Sequence, residues 1–548
     1  MEIKPQQLWR TGLIVTAAVL ALPVIVILGS LTLPFGPVWQ HLLDTVLHSY
    51  ISNSLLLMLG VAAGTLLLGV PTAWLMAVCD FPGRRFFNWA LLLPMAMPAY
   101  IIAYTYTGLL DFTGPLQSAL RDAFGWRYGE YWFPQIRSLG GAICMLSLVL
   151  YPYVYLLTRV AFSEQSTALI EASRSLGRGP WRTFFTVALP AARPAIAAGV
   201  SLALMEALAD YGTVDYFGIG VFTTGIFRTW YGLGDLQAAA QLASFLLIFV
   251  LVLFALERAS RRRLRFHHSG VNKQPARLQL RGWRGTGCTV LALLILACGF
   301  ALPATQLLTW ASSDPLQWLQ ADFLALAGNS FLLAALAAVC CLLVALFLGY
   351  GKRIHPGVLE NSAVRVASAG YAVPGTVIAV GVLLPFAWVD NQVDAFMREH
   401  FNVSTGLLLS GTLAALVFAY VVRFLSVALQ SVESGLTKIR PALDESARSL
   451  GYGAASVLRL IHIPLLRNSL LTALLLVFVD VLKELPATLI LRPFNFNTLA
   501  VRTYELASDE RLSDAAFPAL AIVAIGLLPV ILMSRAITTP QESHEPAT

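Results

Sequence analysis

Twelve stretches of this chain are apolar for long enough to cross a lipid bilayer, and that pattern decides most of what the sequence can fold into. A crossing helix needs about 20 mostly apolar residues, because hydrocarbon offers no partner to an unpaired backbone N–H or C=O. Windows of this kind fall at about 13–33, 54–78, 89–110, 139–162, 190–209 and 237–256, then at about 287–308, 330–350, 364–388, 405–428, 468–490 and 515–534. The pattern predicts an all-α polytopic membrane protein with about 12 transmembrane helices. Composition agrees: 57% of the side chains are hydrophobic and 12% charged, against about 25% charged in soluble chains. A soluble enzyme, a nucleic-acid binder and a disordered scaffold are poor readings of such a composition. Pro94, Pro98, Pro152 and Pro374 lie inside these windows. Membrane helices tolerate proline where neighbours satisfy the freed carbonyls, so kinks are expected there.

Lysine and arginine set the expected orientation. The segments 34–53 and 309–328 contain neither and belong outside, whereas Arg84 and Arg85, Arg174, Arg178 and Arg182, Lys352 and Arg353, and Lys438, Arg440, Arg448 and Arg459 face the cytoplasm. Both termini then lie in the cytoplasm, and the first apolar run, Leu13 to Leu31, is a span rather than a cleaved signal, lacking a small-residue cleavage pattern. The densest basic run, from Arg258 through Arg265 to Lys273 and Arg284, reads as a solvated cytoplasmic linker with affinity for anionic lipid. The six cysteines lie in or beside apolar runs without metal-binding spacing and read as packing residues.

The chain is an internal duplication. Residues 168–177, Ala-Leu-Ile-Glu-Ala-Ser-Arg-Ser-Leu-Gly, recur at 442–451 as Ala-Leu-Asp-Glu-Ser-Ala-Arg-Ser-Leu-Gly, an offset of 274. Asn53-Ser54 matches Asn329-Ser330, and Pro98 matches Pro374, at an offset of 276. This divides the chain into a first half at 1–256, the basic linker at 257–286 and a second half at 287–548. Six crossings per half make the repeats parallel, related by an axis along the membrane normal, with a pathway between them.

The repeat is best preserved in the loops after the fourth and tenth crossings, at about 163–188 and 437–462. In the first, Ser166 or Thr167 caps a short helix, Gly177 ends it with positive φ, and Pro180 starts a second. Thr437, Pro441, Gly451 and Gly453 stand in corresponding places. Small residues (Ala172, Ser173; Ser446, Ala447) permit close approach to another surface, and Glu171 or Glu445 offers a charge. A helix packed on its own bundle is the structural alternative.

Glu171-Ala172-Ser173 with Gly177 and Leu189-Pro190, and Glu445-Ser446-Ala447 with Gly451 and Ile463-Pro464, resemble the E-A-A…G…L-P signature of ABC-importer permeases, with serine at Ser173 and Ser446 where the signature prefers alanine. The finer pattern is similar to fused ferric-iron importer permeases, notably Lys483-Glu484-Leu485-Pro486 through Arg492-Pro493 and Leu208 to Val214. Permeases for thiamine, phosphonate or polyamine share parts of it. The resemblance implies a MetI-like permease fold in a bacterial inner membrane. It further implies a periplasmic binding protein and two cytoplasmic ATPase copies, engaged through Glu171 and Glu445, that carry the ATP and magnesium. No cofactor is implied for the chain itself.

Glu206 and Asp210 are four residues apart, as are Asp480 and Glu484, and the 274 offset superposes the pairs. On continuous helices each pair shares a face. At about 1.5 Å per residue from Pro190, the first pair lies roughly 24 and 30 Å up the helix. Intramembrane acids are costly and usually face an interior path, so four carboxylates about one axis would favour a cation, held by weak contacts rather than a firm metal site. The alternative makes the two outer acids, Asp210 and Glu484, interfacial, with Lys483 and Arg492 as local partners, or all four braces between the halves. Tyr100, Tyr104, Tyr106, Tyr151, Tyr153 and Tyr155 could suggest iron ligands, but membrane helices commonly bury or belt tyrosine, so they read as core or interface. No GxxxxGK[ST] is present, since Gly349-Tyr350-Gly351-Lys352 lacks the spacing, so the chain is not expected to hydrolyse ATP. A gradient-driven secondary transporter is the competing class.

Overall fold

The computed structural model describes residues 5–127, 129–164, 173, 175, 177, 179–262, 277–313 and 321–538. Glu171 and Ala172 of the first cytoplasmic loop, with Ser166 and Thr167, and the linker from Arg263 to Lys273 lie outside the described residues. Among the described residues, 11 helices are long and apolar enough to cross a membrane, and a bent pair takes a twelfth position. In the first half these are Trp9–Thr32, Leu47–Val78, the pair Arg84–Ala96 and Ala99–Phe124, Leu139–Ser163, Phe184–Ala209 and Leu236–Ala255. The second half has Trp283–Ala311, Ala321–Ile354, Gly375–Phe401, Leu413–Thr437, Ala454–Leu482 and Leu512–Leu532. They are spans 1 to 12 below. Cys79–Asp80, after span 2, pairs in parallel with Leu278–Gln279, before span 7. That pairing puts the linker and the end of span 2 on one side of the bundle, here the linker side, opposite a far side.

Two expected spans are not continuous. The windows at 89–110 and 364–388 break at Pro98 and Pro374, and in the first half the two segments meet at 93°. Proline has no N–H to continue a helix and pushes its predecessor into extended backbone. Met97 (φ −103°, ψ 116°) and Val373 (φ −84°, ψ 128°) are both extended. Each proline instead opens the next helix, Ile101 N–H donating to Pro98 O (3.0 Å) and Ile378 N–H to Pro374 O (3.1 Å). The expected kinks at Pro98 and Pro374 are therefore breaks. Pro94 sits in a 3₁₀ turn, and Pro152 lies inside an uninterrupted helix.

A broken segment in a membrane leaves carbonyls to be satisfied. In the first half span 4 supplies the donors: the Tyr151 hydroxyl to Leu91 O (2.8 Å), the Tyr155 hydroxyl to Asn88 O (3.0 Å), and Arg159 Nη1 to the same carbonyl (3.2 Å). Residues 151, 155 and 159 form one helical stripe, which gives two of the six tyrosines a structural task.

Spans 2 and 4 pack through glycines. A Cβ at Gly60 would stand 2.5 Å from Ile143 Cδ1, one at Gly64 2.2 Å from Ser147 Oγ, and one at Gly69 2.8 Å from Val154 Cβ. Small residues allow such approach where lipid contributes little hydrophobic drive between helices.

The first span of each half lies against the other half. Span 1 meets spans 8 and 9: Trp9 stacks on Phe347 at 5.2 Å, and a Cβ at Gly381 would stand 2.5 Å from Pro23 O. Span 7 meets spans 3 and 4: the Tyr106 hydroxyl donates to Cys298 O (2.7 Å), Tyr104 stacks on Trp310, and a Cβ at Gly299 would reach Pro94 Cγ at 2.9 Å. Among the described residues two apolar clusters form the core, and each draws side chains from both halves.

Overpacking a tight helix contact costs about 1–3 kcal/mol. Gly64→Leu is expected to lower the thermal midpoint of the detergent-solubilised protein. Gly29→Leu, where an added Cβ meets nothing within 4 Å, is the control. Equal midpoints for the two would contradict the packing described.

Candidate translocation site

On the linker side span 5 starts with a π-helical turn, Phe184–Ala188, and span 11 has one, Leu458–His462, after its first turn. The short helices expected to precede them, at Pro180 and after Gly453, run straight into the spans. Near the far ends, Glu206 and Asp480 are helical, but the helices stop at Ala209 and Leu482. Asp210 and Glu484 therefore do not share a continuous helix face with Glu206 and Asp480. Asp210 is already extended (φ −66°, ψ 131°).

Each displaced carboxylate turns forward and caps the next short helix. Asp210 accepts from the N–H groups of Thr213 (3.0 Å) and Val214 (3.3 Å) and from the Thr213 hydroxyl (3.1 Å). Glu484 accepts from the N–H groups of Ala487 (2.9 Å) and Thr488 (3.0 Å) and from the Thr488 hydroxyl (2.7 Å). The bonding is the same in both repeats. It satisfies N–H groups that a helix start leaves without partners. Gly212 and Pro486, two residues after each acid, were the sequence signals for a break.

All four acids nevertheless line one cavity of about 140 Å³ between the halves. Pro98, Tyr100 and Tyr153 from spans 3 and 4, and Tyr371 and Arg423 from the second half, complete the walls used below. Asp480 pairs with Lys483 at 2.8 Å and Glu484 with Arg423 at 3.4 Å. Glu206 accepts from the Tyr371 hydroxyl at 3.3 Å, a bond between the halves. Of the two basic partners expected, Lys483 is at the cavity, whereas Arg492 pairs with Glu505 at 2.9 Å. Arg423 was missed. Its signal was an arginine in the middle of an apolar run, where a charge is expensive unless it faces the interior. Among the described residues no three His, Cys, Asp or Glu side chains are grouped to hold a metal ion.

Beyond the cavity, towards the far side, residues of the two halves clasp each other. Asp215 accepts from the hydroxyls of Tyr504 and Tyr211. Tyr504 packs edge-on to Tyr100, which lines the cavity, and Tyr211 stacks on Phe227 at 3.9 Å. Arg137 pairs with Glu510 at 2.7 Å and lies over the Tyr216 ring. Of the six tyrosines read as core, Tyr100 and Tyr153 line the cavity. Tyr104 and Tyr106, like Tyr151 and Tyr155, spend their hydroxyls on backbone carbonyls.

On the linker side, the described copy of the duplicated helix is Pro441–Ser449. Thr437 does not cap it: Thr437 ends span 10, and Arg440 precedes Pro441 at the first helical position. Gly177 (φ +76°) and Gly451 (φ +83°) have the positive φ their sequence places implied. Glu445 and Ser446 are exposed, whereas Ala447 is buried against the bundle, and Ser173 is buried with its hydroxyl 3.0 Å from that of Thr183. The small residues of the motif thus divide between an inward and an outward face. Leu443, Leu450 and Tyr452 join the outward one.

Asp444, absent from the sequence-based site, fixes this helix. Its carboxylate accepts from Arg353 Nε (2.7 Å), at the end of span 8, and lies 2.6 Å from His462 Nε2, at the start of span 11. Burial opposes the charge on Asp444, but the bonds from Arg353 and His462 outweigh it and hold the carboxyl below its usual range. The first half has Ala77, Ile170 and Ala188 at the corresponding sequence positions.

Residues 8–266 and 341–539 match the family described as binding-protein-dependent transport system inner membrane component. The chain belongs to that family. Among its relatives, the Fe(3+)-transport system permease protein FbpB 2 of Haemophilus influenzae is 26% identical over 493 residues, covering 88% of this chain and 89% of the relative. The molybdenum transport system permease protein ModB of Escherichia coli is 30% identical over 149 residues, 27% of this chain and 62% of the relative. A probable sulfate transport system permease protein cysT of Chlorokybus atmophyticus is 30% identical over 207 residues, 38% of this chain and 70% of the relative. The chain is accordingly an ABC-importer permease, a multi-pass inner-membrane protein of a family that works with an ATPase and a substrate-binding protein. Membership sets aside the gradient-driven class.

Removing one partner of a fully buried ion pair costs about 3–5 kcal/mol, and less for a pair such as Asp444 and Arg353 that is partly open to solvent. Asp444→Ala is therefore expected to lower the thermal midpoint by several degrees, read by heating the purified protein. Because the folded carboxyl pKa is depressed, its contribution is full above the unfolded value of about 4 and is lost as pH falls through the folded one. The gap between wild type and variant should close on acidification below about pH 4. A gap independent of pH would refute the assignment.

Proposed function

We propose that this chain is the permease for ferric iron released by a periplasmic binding protein. The observation that carries the reading is the cavity: carboxylates from both halves, Glu206, Asp210, Asp480 and Glu484, face one space with two basic side chains among them. The similarity to the Fe(3+) permease over 88% of the chain supports it. The carboxylates make brief contacts with the cation. Two copies of a cytoplasmic ATPase dock on the duplicated helices through Glu171 and Glu445, hydrolyse the ATP and drive the halves between discrete packings.

Reconstitution with binding protein and ATPase in proteoliposomes, offering ferric iron, molybdate, sulfate, thiamine, phosphonate and polyamine separately, tests the cargo. Uptake of ferric iron alone is expected. Glu206→Gln with Asp480→Asn should reduce it at least tenfold, while the variant still assembles with the ATPase. Wild-type uptake in that variant, and in one also neutralised at Asp210 and Glu484, would end the reading.

Docking has its own test. Glu445→Arg is expected to abolish stimulation of ATP hydrolysis by the loaded binding protein without changing thermal stability. Unaltered stimulation would place the ATPase contact elsewhere.

A further inference from the structure

The internal repeat relates the two walls of the cavity, but they are not electrically alike. Glu206 corresponds to Asp480 and Asp210 to Glu484, whereas Ala209 stands where the second half has Lys483, and Val149 where it has Arg423. Both cations therefore come from the second half, and each is set on a carboxylate of that half, Lys483 Nζ 2.8 Å from Asp480 Oδ1 and Arg423 Nη1 3.4 Å from Glu484 Oε1. The backbone makes room for one of them. A Cβ at Gly375 would lie 2.0 Å from Arg423 Nη1 and 2.7 Å from Glu484 Oε1, and the corresponding first-half residue is Ala99. Three coordinated differences, Gly375, Arg423 and Lys483, thus convert one wall from anionic to neutral.

Placing two cations inside a membrane protein is costly, and without them the cavity wall would carry four carboxylates with no compensating charge, which attracts a hard cation electrostatically even though no three acids among the described residues are grouped to ligate one ion. A conducting site must bind strongly enough to admit its cargo and weakly enough to release it. We propose that Lys483 and Arg423 are built-in competitors of the cargo: they hold Asp480 and Glu484 in ion pairs of a kind that neither Glu206 nor Asp210 makes among the described residues, and so keep a multivalent cation from being trapped. The inference rests on the cation reading above. It names Lys483 and Arg423 as the residues that set how loosely the cavity holds its cargo, and they act through the two acids they engage.

The probe is terbium(III), a hard trivalent cation whose luminescence is sensitised by neighbouring tyrosines, here Tyr100, Tyr153 and Tyr371, titrated into the full chain in nanodiscs. Wild type is expected to bind weakly. Lys483→Gln with Arg423→Gln should bind at least tenfold more tightly, and adding Glu206→Gln and Asp480→Asn should return the affinity to the wild-type level. Lys483→Arg, which keeps the charge, should bind as weakly as wild type, a rescue that a merely structural lysine would not show. Lys483→Gln alone, at the more exposed of the two cations, serves if the double variant fails to assemble with the ATPase, and a severalfold gain in affinity is expected of it. Terbium affinity unchanged in an assembled variant, with ferric uptake intact in wild type, would overturn this inference and leave the cargo assignment standing. Wild-type uptake of an oxyanion and not of ferric iron, abolished in the double variant, would overturn both.

Discussion

A backbone in hydrocarbon has no water to fall back on, so the polar groups freed where a helix is interrupted must find other partners. This structure has interruptions at Pro98 and Pro374 and after Ala209 and Leu482. The first is answered by a stripe of donors, Tyr151, Tyr155 and Arg159, and the last two by the carboxylates of Asp210 and Glu484. The breaks at Pro98, after Ala209 and after Leu482 all line the cavity between the halves. The acids that cap the new helices are thereby brought to its wall. Structural and electrostatic tasks fall on the same residues.

The duplication accounts for much of the architecture, yet the halves have diverged where charge is concerned. The second half carries Arg353, Asp444 and His462 as a buried anchor for its linker-side helix, and Arg423 and Lys483 beside its cavity acids. Alanine, isoleucine or valine stands at the corresponding places of the first half. A repeat relates backbones, and ionisable side chains differ within it at little cost to the fold so long as each finds a partner.

Periodicity and apolar length were enough to find the spans, because twenty apolar residues in a row have few other fates. Gly177 and Gly451 were legible because positive φ has a chemical signature. Span ends were less so: 468–490 was expected where the helix runs Ala454–Leu482, since Glu484 and Pro486 lie in an apolar run that hydropathy reads as continuous. The four acids could be picked out by their cost, but not the bonds that engage them. Tyr371, Arg423 and Asp444 were missed for one reason. Each gains its meaning from a partner more than 15 residues away in sequence, Glu206, Glu484 and His462 in turn, and such pairings are invisible to a reading that moves along the chain window by window.

The exchange of spans 1 and 7 between the halves bears on how the protein is made. Span 1 leaves the ribosome well before the residues it packs on: Trp9 rests on Phe347 and Pro23 faces Gly381, so these neighbours are synthesised more than 300 residues later. Until then it must wait in lipid, and the first half must assemble around a place that span 7 has yet to fill. Joining both halves in one polypeptide keeps the waiting helix tethered to its eventual seat, which spares the insertion machinery a search between separate molecules.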